Sequence, residues 1–262
     1  MDPSLHLAAL PLWLSAPLIV GLPAVAAMLG SYWIRRWVTA ERLMTNNEVA
    51  GFKFATVGVI YAVMLGFAVI VVWEKFRDAD TAVTQEAGAI VAVYRLAEGM
   101  QGNAGAAVRD KLTAYAKSAI DDDWPAMARG HMSSRATHAL NDLYTAVISG
   151  ASGDKASSPV ISEVFYQLDL ITQARRARAV LAGGVVPGVV WLVLSLGALF
   201  TIAFTFFFGT RNARAQVLMT GLLSALILMG LLVIVSIDHP FTGSVSVRPE
   251  ALLEVLKEFG GG

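Results

Sequence analysis

Histidines and carboxylates are the residue types best suited to chemistry in this sequence, and one segment brings several of them together. His131 and His138 stand seven positions apart, and three aspartates at 121–123 precede them. Their spacing matches no standard zinc or calcium motif. A solvated acidic turn followed by two surface histidines explains the segment more simply. We therefore predict no metal site and no cofactor.

The motifs of common enzymes are missing as well. The sequence has no glycine-rich phosphate loop, no nucleophile elbow and no HExxH pattern. It also lacks cysteine, which excludes disulfides, thiolate zinc ligands and thiol nucleophiles. We predict that the chain is not an enzyme.

A polar pair, Asp238 and His239, stands directly after the last apolar stretch and is followed by Pro240. Because proline cannot continue a helix, the pair is explained simply as a turn that ends a helix in the headgroup layer. Alternatively, the pair lies at a pore mouth, where a histidine beside a carboxylate attracts ions or senses protons. The sequence leaves both interpretations open.

Long uncharged stretches indicate that these residues belong to a membrane protein. Hydrophobic residues make up 56% of the 262 positions and charged residues 15%, against about 25% charged in an average soluble domain. The 20 basic and 20 acidic residues balance, so nothing indicates nucleic acid as a partner. Four stretches contain no charged residue: 3–34, 54–73, 179–210 and 215–237. Each is long enough for a helix of about 20 residues across a bilayer.

We therefore predict an all-α, four-transmembrane-helix protein with a helical extramembrane domain between spans 2 and 3. The predicted spans lie near residues 10–34, 54–73, 185–208 and 217–237. The expected parts are two membrane helices with a short basic loop (1–73), a charged helical domain (74–182), two more membrane helices (183–237), and an interface turn with a short C-terminal helix (238–262). The inserted domain carries 25 of the 40 charges.

The inserted domain has helical periodicity. Apolar residues recur at steps of three and four in four segments, which predicts four main helices. Glycine, proline and serine separate them at 99–105, 124–133 and 150–158. No breaker separates the second span from the first of these helices, so we expect the two to be continuous. We also expect the last helix to run into the third span, with Gly183, Gly184 and Pro187 as a kink.

The second span carries two stripes of side chains that repeat every four residues. The small stripe consists of Gly58, Ala62 and Gly66. The apolar stripe consists of Val59, Val63 and Phe67. A face of small residues lets another helix approach closely. If several copies surround an axis, the apolar stripe forms stacked rings that oppose ion passage; facing lipid is the simpler alternative.

The spans contain almost no ionisable side chain, Tyr32 and Tyr61 being the exceptions. Proton-coupled pumps and many secondary transporters place charged residues or histidines at membrane depth. Their absence counts against such a carrier. A channel with a hydrophobic constriction needs only apolar side chains.

The apolar stripe is part of a longer pattern. Val59 and Val63 lead to a Leu-Gly-Phe triplet ending at Phe67, and a basic–aromatic pair, Lys75-Phe76, follows about two turns later. This pattern resembles the pore helix of bestrophins, which are oligomeric ion channels with a hydrophobic neck. The resemblance implies that the apolar stripe is the neck of a pore. Two valines would make this neck wider than one built of bulkier residues.

Three further motifs are spread along nearly the whole chain. They are Asn-Glu-Val-Ala-Gly-Phe at 47–52, Trp124-Pro125, and Asp-His-Pro-Phe at 238–241 with Gly243. They resemble an uncharacterised prokaryotic family described as bestrophin-like. The resemblance implies a homo-oligomer, a pentamer, that passes small inorganic ions through the lipid bilayer of the inner cell membrane. It also implies a cytoplasmic helical domain, whereas the basic residues of the short loops favour an external one.

The sequence departs from animal bestrophins after the last span, where their acidic calcium-binding cluster has no counterpart. Calcium gating is therefore not implied. Two other functions stay open. One is a membrane-embedded sensor or scaffold whose helical domain binds a partner, and the other is a small-solute transporter.

Overall fold

The computed structural model describes residues 3–45, 47–100, 103–151 and 158–260. Within these ranges the chain forms twelve α-helices and no strand, which confirms the all-α prediction. The helices are α1 (Pro3–Ala8), α2 (Leu12–Ala16), α3 (Leu22–Trp37), α4 (Ala40–Thr45), α5 (Asn47–Leu96), α6 (Ala104–Ser118), α7 (Trp124–Met127), α8 (Ser134–Ala151), α9 (Ser158–Ala182), α10 (Gly188–Phe204), α11 (Ala213–Ile237) and α12 (Glu250–Gly260).

Four helical segments are long and apolar enough to cross a membrane, as predicted: Leu12–Trp37, Asn47–Gly99, Gly188–Phe207 and Ala213–Ile237. The first of them is not a uniform α-helix. It passes from α2 to α3 through a π-helical segment, Pro17–Gly21. Pro17 and Pro23 lack a backbone N–H, so the regular hydrogen-bond ladder cannot continue through this part of the span.

The chain divides into two compact units. The membrane unit comprises Met1–Glu74 and Val185–Asp238, and the helical unit comprises Lys75–Gly184 and His239–Gly262. Helix α5 has 50 residues and runs from the membrane unit into the helical unit without interruption. The predicted continuity of the second span with the first helix of the inserted domain is therefore confirmed.

The predicted continuity of the last domain helix with the third span is wrong. Helix α9 ends at Ala182, and α10 begins at Gly188. Gly184 has φ +90°, a left-handed conformation that glycine adopts without strain. Pro187 is extended and precedes α10. These two residues stop and restart the helix, so the third span begins three residues later than predicted.

A second correction concerns the predicted break at 124–133. The chain stays helical through a π-helical segment, Ala119–Asp123, and then through α7. Pro125 lies in the first turn of α7, directly after the π-helical segment, where its missing N–H interrupts the regular hydrogen-bond ladder without ending the helix. The turn follows α7 and contains Gly130 at φ +75°. Of the other predicted breaks, residues 101–102 and 152–157 lie outside the described residues.

The helical unit is built around one large apolar core. Its members come from the second half of α5 and from α6, α8, α9 and α12. The apolar positions that recur along the sequence are fully buried there, among them Ile90, Leu112, Leu143, Leu168 and Leu252. Burial of this periodic face is what stabilises these amphipathic helices.

The membrane unit packs through close helix contacts at glycines. Three glycines lie beneath larger side chains: Gly197 beneath Tyr61, Gly230 beneath Leu65, and Gly221 beneath Met28. A Cβ atom at Gly197 would stand 2.5 Å from Tyr61 Cδ2, so the Tyr61 ring packs directly on the backbone of α10. Small residues at such crossings are typical of membrane helices.

Candidate pore-lining helix

One side of α5 packs within the membrane unit. Tyr61 and Val72 are buried there, and Phe54, Leu65 and Ala68 are partly buried. The Tyr61 hydroxyl donates a hydrogen bond to the carbonyl oxygen of Leu194, 3.2 Å away. At about 100° per residue these five positions fall on one narrow arc of the helix. We call this arc the packing face.

The apolar stripe lies on the opposite side of α5. Its members are more than half exposed in the single chain: Val59 63%, Val63 51% and Phe67 65%. The stripe is centred about 180° from the packing face. The structure thus brings all three predicted neck residues onto one face that the described part of the chain leaves uncovered.

The two glycines of the small stripe face open space within the described part of the chain. A Cβ atom added to Gly58 or Gly66 would meet nothing within 4 Å, and Ala62 is exposed. The glycines that hold this unit together are on α10 and α11 instead. Sequence periodicity could not distinguish the two groups, because every one of them is a small residue in an apolar helix.

The start of α5 is tied to the loop that follows α10. The Asn47 side chain donates to the carbonyl oxygen of Gly209 (2.7 Å), and the Gly209 N–H donates back to Asn47 Oδ1 (3.0 Å). Phe54 and Phe208 pack edge to face with their centroids 5.4 Å apart. These contacts give the Asn-Glu-Val-Ala-Gly-Phe motif a structural role that spacing alone did not reveal.

Asp238 is buried at the end of α11 and holds the turn before α10. Its Oδ1 accepts hydrogen bonds from the N–H groups of Val185 (3.0 Å) and Val186 (2.8 Å). Its Oδ2 accepts from the indole N–H of Trp191, 3.3 Å away. Of the two interpretations, this geometry favours a structural turn.

His239 is also buried, with 1% of its surface exposed. Its ring lies against Gly184, where a Cβ atom would stand 2.7 Å from Cε1. An ion-attracting pair at a pore mouth needs contact with water, and neither Asp238 nor His239 has it in the single chain.

The acidic segment at 121–123 differs from the expected solvated turn. Asp123 is fully buried, and its carboxylate binds the Arg175 guanidinium at 2.8 Å and the N–H of Ser133 at 3.0 Å. Nδ1 of His131 lies 2.7 Å from the carbonyl oxygen of Ala126. Among the described residues no group of three histidines or carboxylates could hold a metal ion.

A buried ion pair, which sequence reasoning missed, lies in the helical unit. The Arg178 guanidinium donates to both carboxylate oxygens of Glu86, at 2.6 and 2.8 Å, and all of these groups are inaccessible to water. Tyr115 donates its hydroxyl hydrogen to the same carboxylate. Arg178 also stacks over the Trp124 ring at 4.9 Å. A signal was present, since Glu86 shares the apolar face of Val83 in α5.

The pKa shifts in this cluster define which groups are charged. Burial alone would lower the pKa of the Arg178 guanidinium, but the adjacent Glu86 carboxylate raises it above its ordinary value. Burial and the same carboxylate raise the pKa of Tyr115 well above its ordinary value. Arg178 is therefore a cation, and Tyr115 is a neutral hydrogen-bond donor.

Fold and site together define a four-span helical membrane protein with a helical domain between spans 2 and 3. The sequence matches the bestrophin-like domain over residues 21–252, and the chain belongs to the bestrophin-like family. No curated protein matches the sequence significantly. The resemblance inferred from the motifs is confirmed.

Solved bacterial bestrophin homologues share this fold at low sequence identity. One, a single-residue variant from Klebsiella pneumoniae, is 14% identical and superposes with a TM-score of 0.70 over 91% of this chain and 99% of its own. A second structure from the same organism, phased with zinc, is also 14% identical and has a TM-score of 0.67 over 89% and 96%. The chain therefore has a bestrophin-type fold.

Proposed function

We propose that the chain is a passive channel for small inorganic ions in the inner cell membrane. Copies of the chain assemble as a homo-oligomer, a pentamer by resemblance, around an axis lined by α5. The helical unit faces the cytoplasm. The constriction is formed by the apolar stripe, that is, by Val59, Val63 and Phe67.

The observation that carries this proposal is the uncovered apolar stripe opposite the packing face. The membrane unit holds α5 by one side only, so the other side must face lipid, another copy or an aqueous path. The bestrophin-type fold favours a path. Rings of valine and phenylalanine oppose ion passage because water leaves a narrow apolar segment and the ion loses hydration.

The small stripe suits the contact between copies. It lies about 100° from the apolar stripe, so a neighbouring helix that packs on it leaves the apolar stripe facing the axis. Gly58 and Gly66 offer that neighbour a backbone surface without side chains. Close approach of this kind is a common basis of helix association in bilayers.

Ion flux into liposomes tests the constriction. The triple variant Val59→Ala/Val63→Ala/Phe67→Ala should raise the flux of purified, correctly assembled protein, because a wider ring stays wet. Phe67→Ala should have the largest single effect. The control Val69→Ala removes the same volume as either single valine substitution, from a partly buried position off the apolar stripe, and should leave flux near the wild-type value. Equal flux in the triple variant and the wild type would contradict the proposal.

Cysteine substitution gives a second test, because the chain has no native cysteine. Application of a charged thiol reagent should change the conductance of the Val63→Cys variant, because the substituted side chain faces the aqueous path along the axis. Val69→Cys should not respond. A lipid-facing stripe predicts no response from either variant.

The orientation can be tested in intact cells. A membrane-impermeant thiol reagent should label Arg211→Cys, in the short loop before α11, and should spare Thr145→Cys on α8. Both positions are exposed in the chain, so burial would not hide them. Labelling of Thr145→Cys alone would place the helical unit outside the cell.

A further inference from the structure

A cleft of about 850 Å³ opens in the membrane unit where α3 ends, α5 begins and α10 ends. Its walls are mostly apolar, with Ile34 and Val38 on one side and Phe204 and Phe207 on another. The volume lies within the range of about 300–1,000 Å³ that is typical of sites for small molecules. All three helix ends lie at the two short loops, which places the cleft at the edge of the bilayer.

Two cationic side chains, Arg42 and Lys53, also line this cleft. Both are exposed. Neither forms an ion pair with a carboxylate in the part of the chain that the structure describes. Glu41 and Glu48 are close in sequence, but neither belongs to the lining. The charge of the cleft is therefore positive, unlike the buried cluster of the helical unit, where Arg178 is paired.

Position and chemistry together select the ligand. Lys53 directly precedes the uncharged part of the second span, so its ammonium group lies at headgroup depth. Basic side chains at that depth attract anionic lipid headgroups, and an apolar groove beside them accommodates an acyl chain. A soluble anion would make no use of the apolar walls, and a neutral lipid would make no use of the two cations.

We propose that this cleft binds an anionic phospholipid, with its phosphate between Arg42 and Lys53 and an acyl chain against the apolar walls. The inference does not depend on ion conduction, since it concerns the outer edge of the single chain. Bound lipid would brace the ends of α3, α5 and α10 against one another.

Native mass spectrometry of the purified oligomer in detergent tests the proposal. The probe is phosphatidylglycerol, compared with phosphatidylcholine of identical acyl chains. The wild type should retain phosphatidylglycerol preferentially. Arg42→Gln/Lys53→Gln should weaken that binding about 30-fold, since each basic residue near the surface contributes about fivefold. The matched control Arg36→Gln/Arg214→Gln removes two exposed cations from the same end of the unit but outside the cleft, and should change binding less than threefold.

A second variant tests the apolar part without a change of charge. Ala203→Phe fills the cleft between the walls and should also lower phosphatidylglycerol retention, in protein with unchanged helical circular dichroism. Soluble glycerol phosphate should not displace the lipid at equal concentration.

Three outcomes would overturn the proposal. The first is equal loss of binding in the cleft variant and the control variant, which would indicate general surface attraction. The second is displacement by glycerol phosphate, which would indicate a site for soluble anions. The third is efficient cross-linking of Lys53→Cys between copies by a short reagent, which would show that a second copy fills the cleft. None of these outcomes bears on ion flux.

Discussion

The two units treat apolar side chains in opposite ways. In the helical unit, leucines such as Leu112, Leu143 and Leu168 are completely buried. In the membrane unit, only 11–39% of the most apolar window of each span is buried within the chain. Water drives the first arrangement, whereas lipid or another copy can satisfy the apolar surface of the second. In the membrane unit, an exposed valine therefore indicates a functional site only when the face of the helix on which it lies is known.

The two units also differ in how their buried polar groups are hydrogen-bonded. In the membrane unit, Thr201 and Ser224 donate to carbonyl oxygens four residues earlier in their own helices. In the helical unit, Glu86 and Arg178 are 92 positions apart and hold two helices together. Local hydrogen bonds satisfy these two hydroxyls of the membrane unit, whereas a long-range ion pair links two helices of the helical unit. Four substitutions test the comparison of the two units.

The largest effect is expected from Arg178→Met, which removes the buried cation. Glu86 would stay buried with the Tyr115 hydroxyl but without its cation, whereas Asp123 would keep its ion pair with Arg175. Loss of one member of a buried pair costs about 3–5 kcal/mol. The apparent melting temperature, followed by helical circular dichroism in detergent, should fall sharply. The matched control Lys111→Met breaks the exposed pair with Asp142, which is worth about 0–1 kcal/mol. A similar fall in melting temperature in the two variants would mean that the buried pair stabilises the protein no more than an exposed pair does.

An intermediate effect is expected where the membrane unit packs on glycine. Gly197→Leu places a side chain against the Tyr61 ring, and overpacking of this kind costs about 1–3 kcal/mol. The melting temperature should fall and the protein should aggregate.

Gly66→Leu is the matched substitution on α5, at a position with open space around it in the chain. It should leave the helical content unchanged but abolish the oligomer in size-exclusion chromatography. If Gly66→Leu retains the oligomer, the small stripe is not a contact between copies.

The smallest effect is expected from Asp238→Asn. The amide keeps one acceptor oxygen but cannot accept from both the Val185–Val186 N–H groups and the Trp191 indole, which should cost about 1–2 kcal/mol. The melting temperature should fall modestly, and ion flux per oligomer should stay constant. A large change in flux with unchanged stability would instead support the pore-mouth interpretation. Asp78→Asn, at an exposed position on α5, serves as the control.

Much of this architecture is local, and local features are visible in a sequence. The four spans follow from uncharged stretches of the right length, and the core of the helical unit follows from steps of three and four along positions such as Ile90 and Leu168. The apolar stripe could also be found, because its spacing is set by the geometry of a single helix.

The sequence by itself therefore determined the class of protein, the positions of most helices, and which residues lie on the same face of each helix. The tertiary structure alone decided which faces meet. It paired Glu86 with Arg178, directed Asp238 to the backbone of a distant turn, and placed Gly197 rather than Gly66 at a helix crossing. Within the described residues it also left the apolar stripe exposed. The physical reason is that periodicity records which residues lie on one side of a helix, while contacts between helices depend on distances that only folding sets.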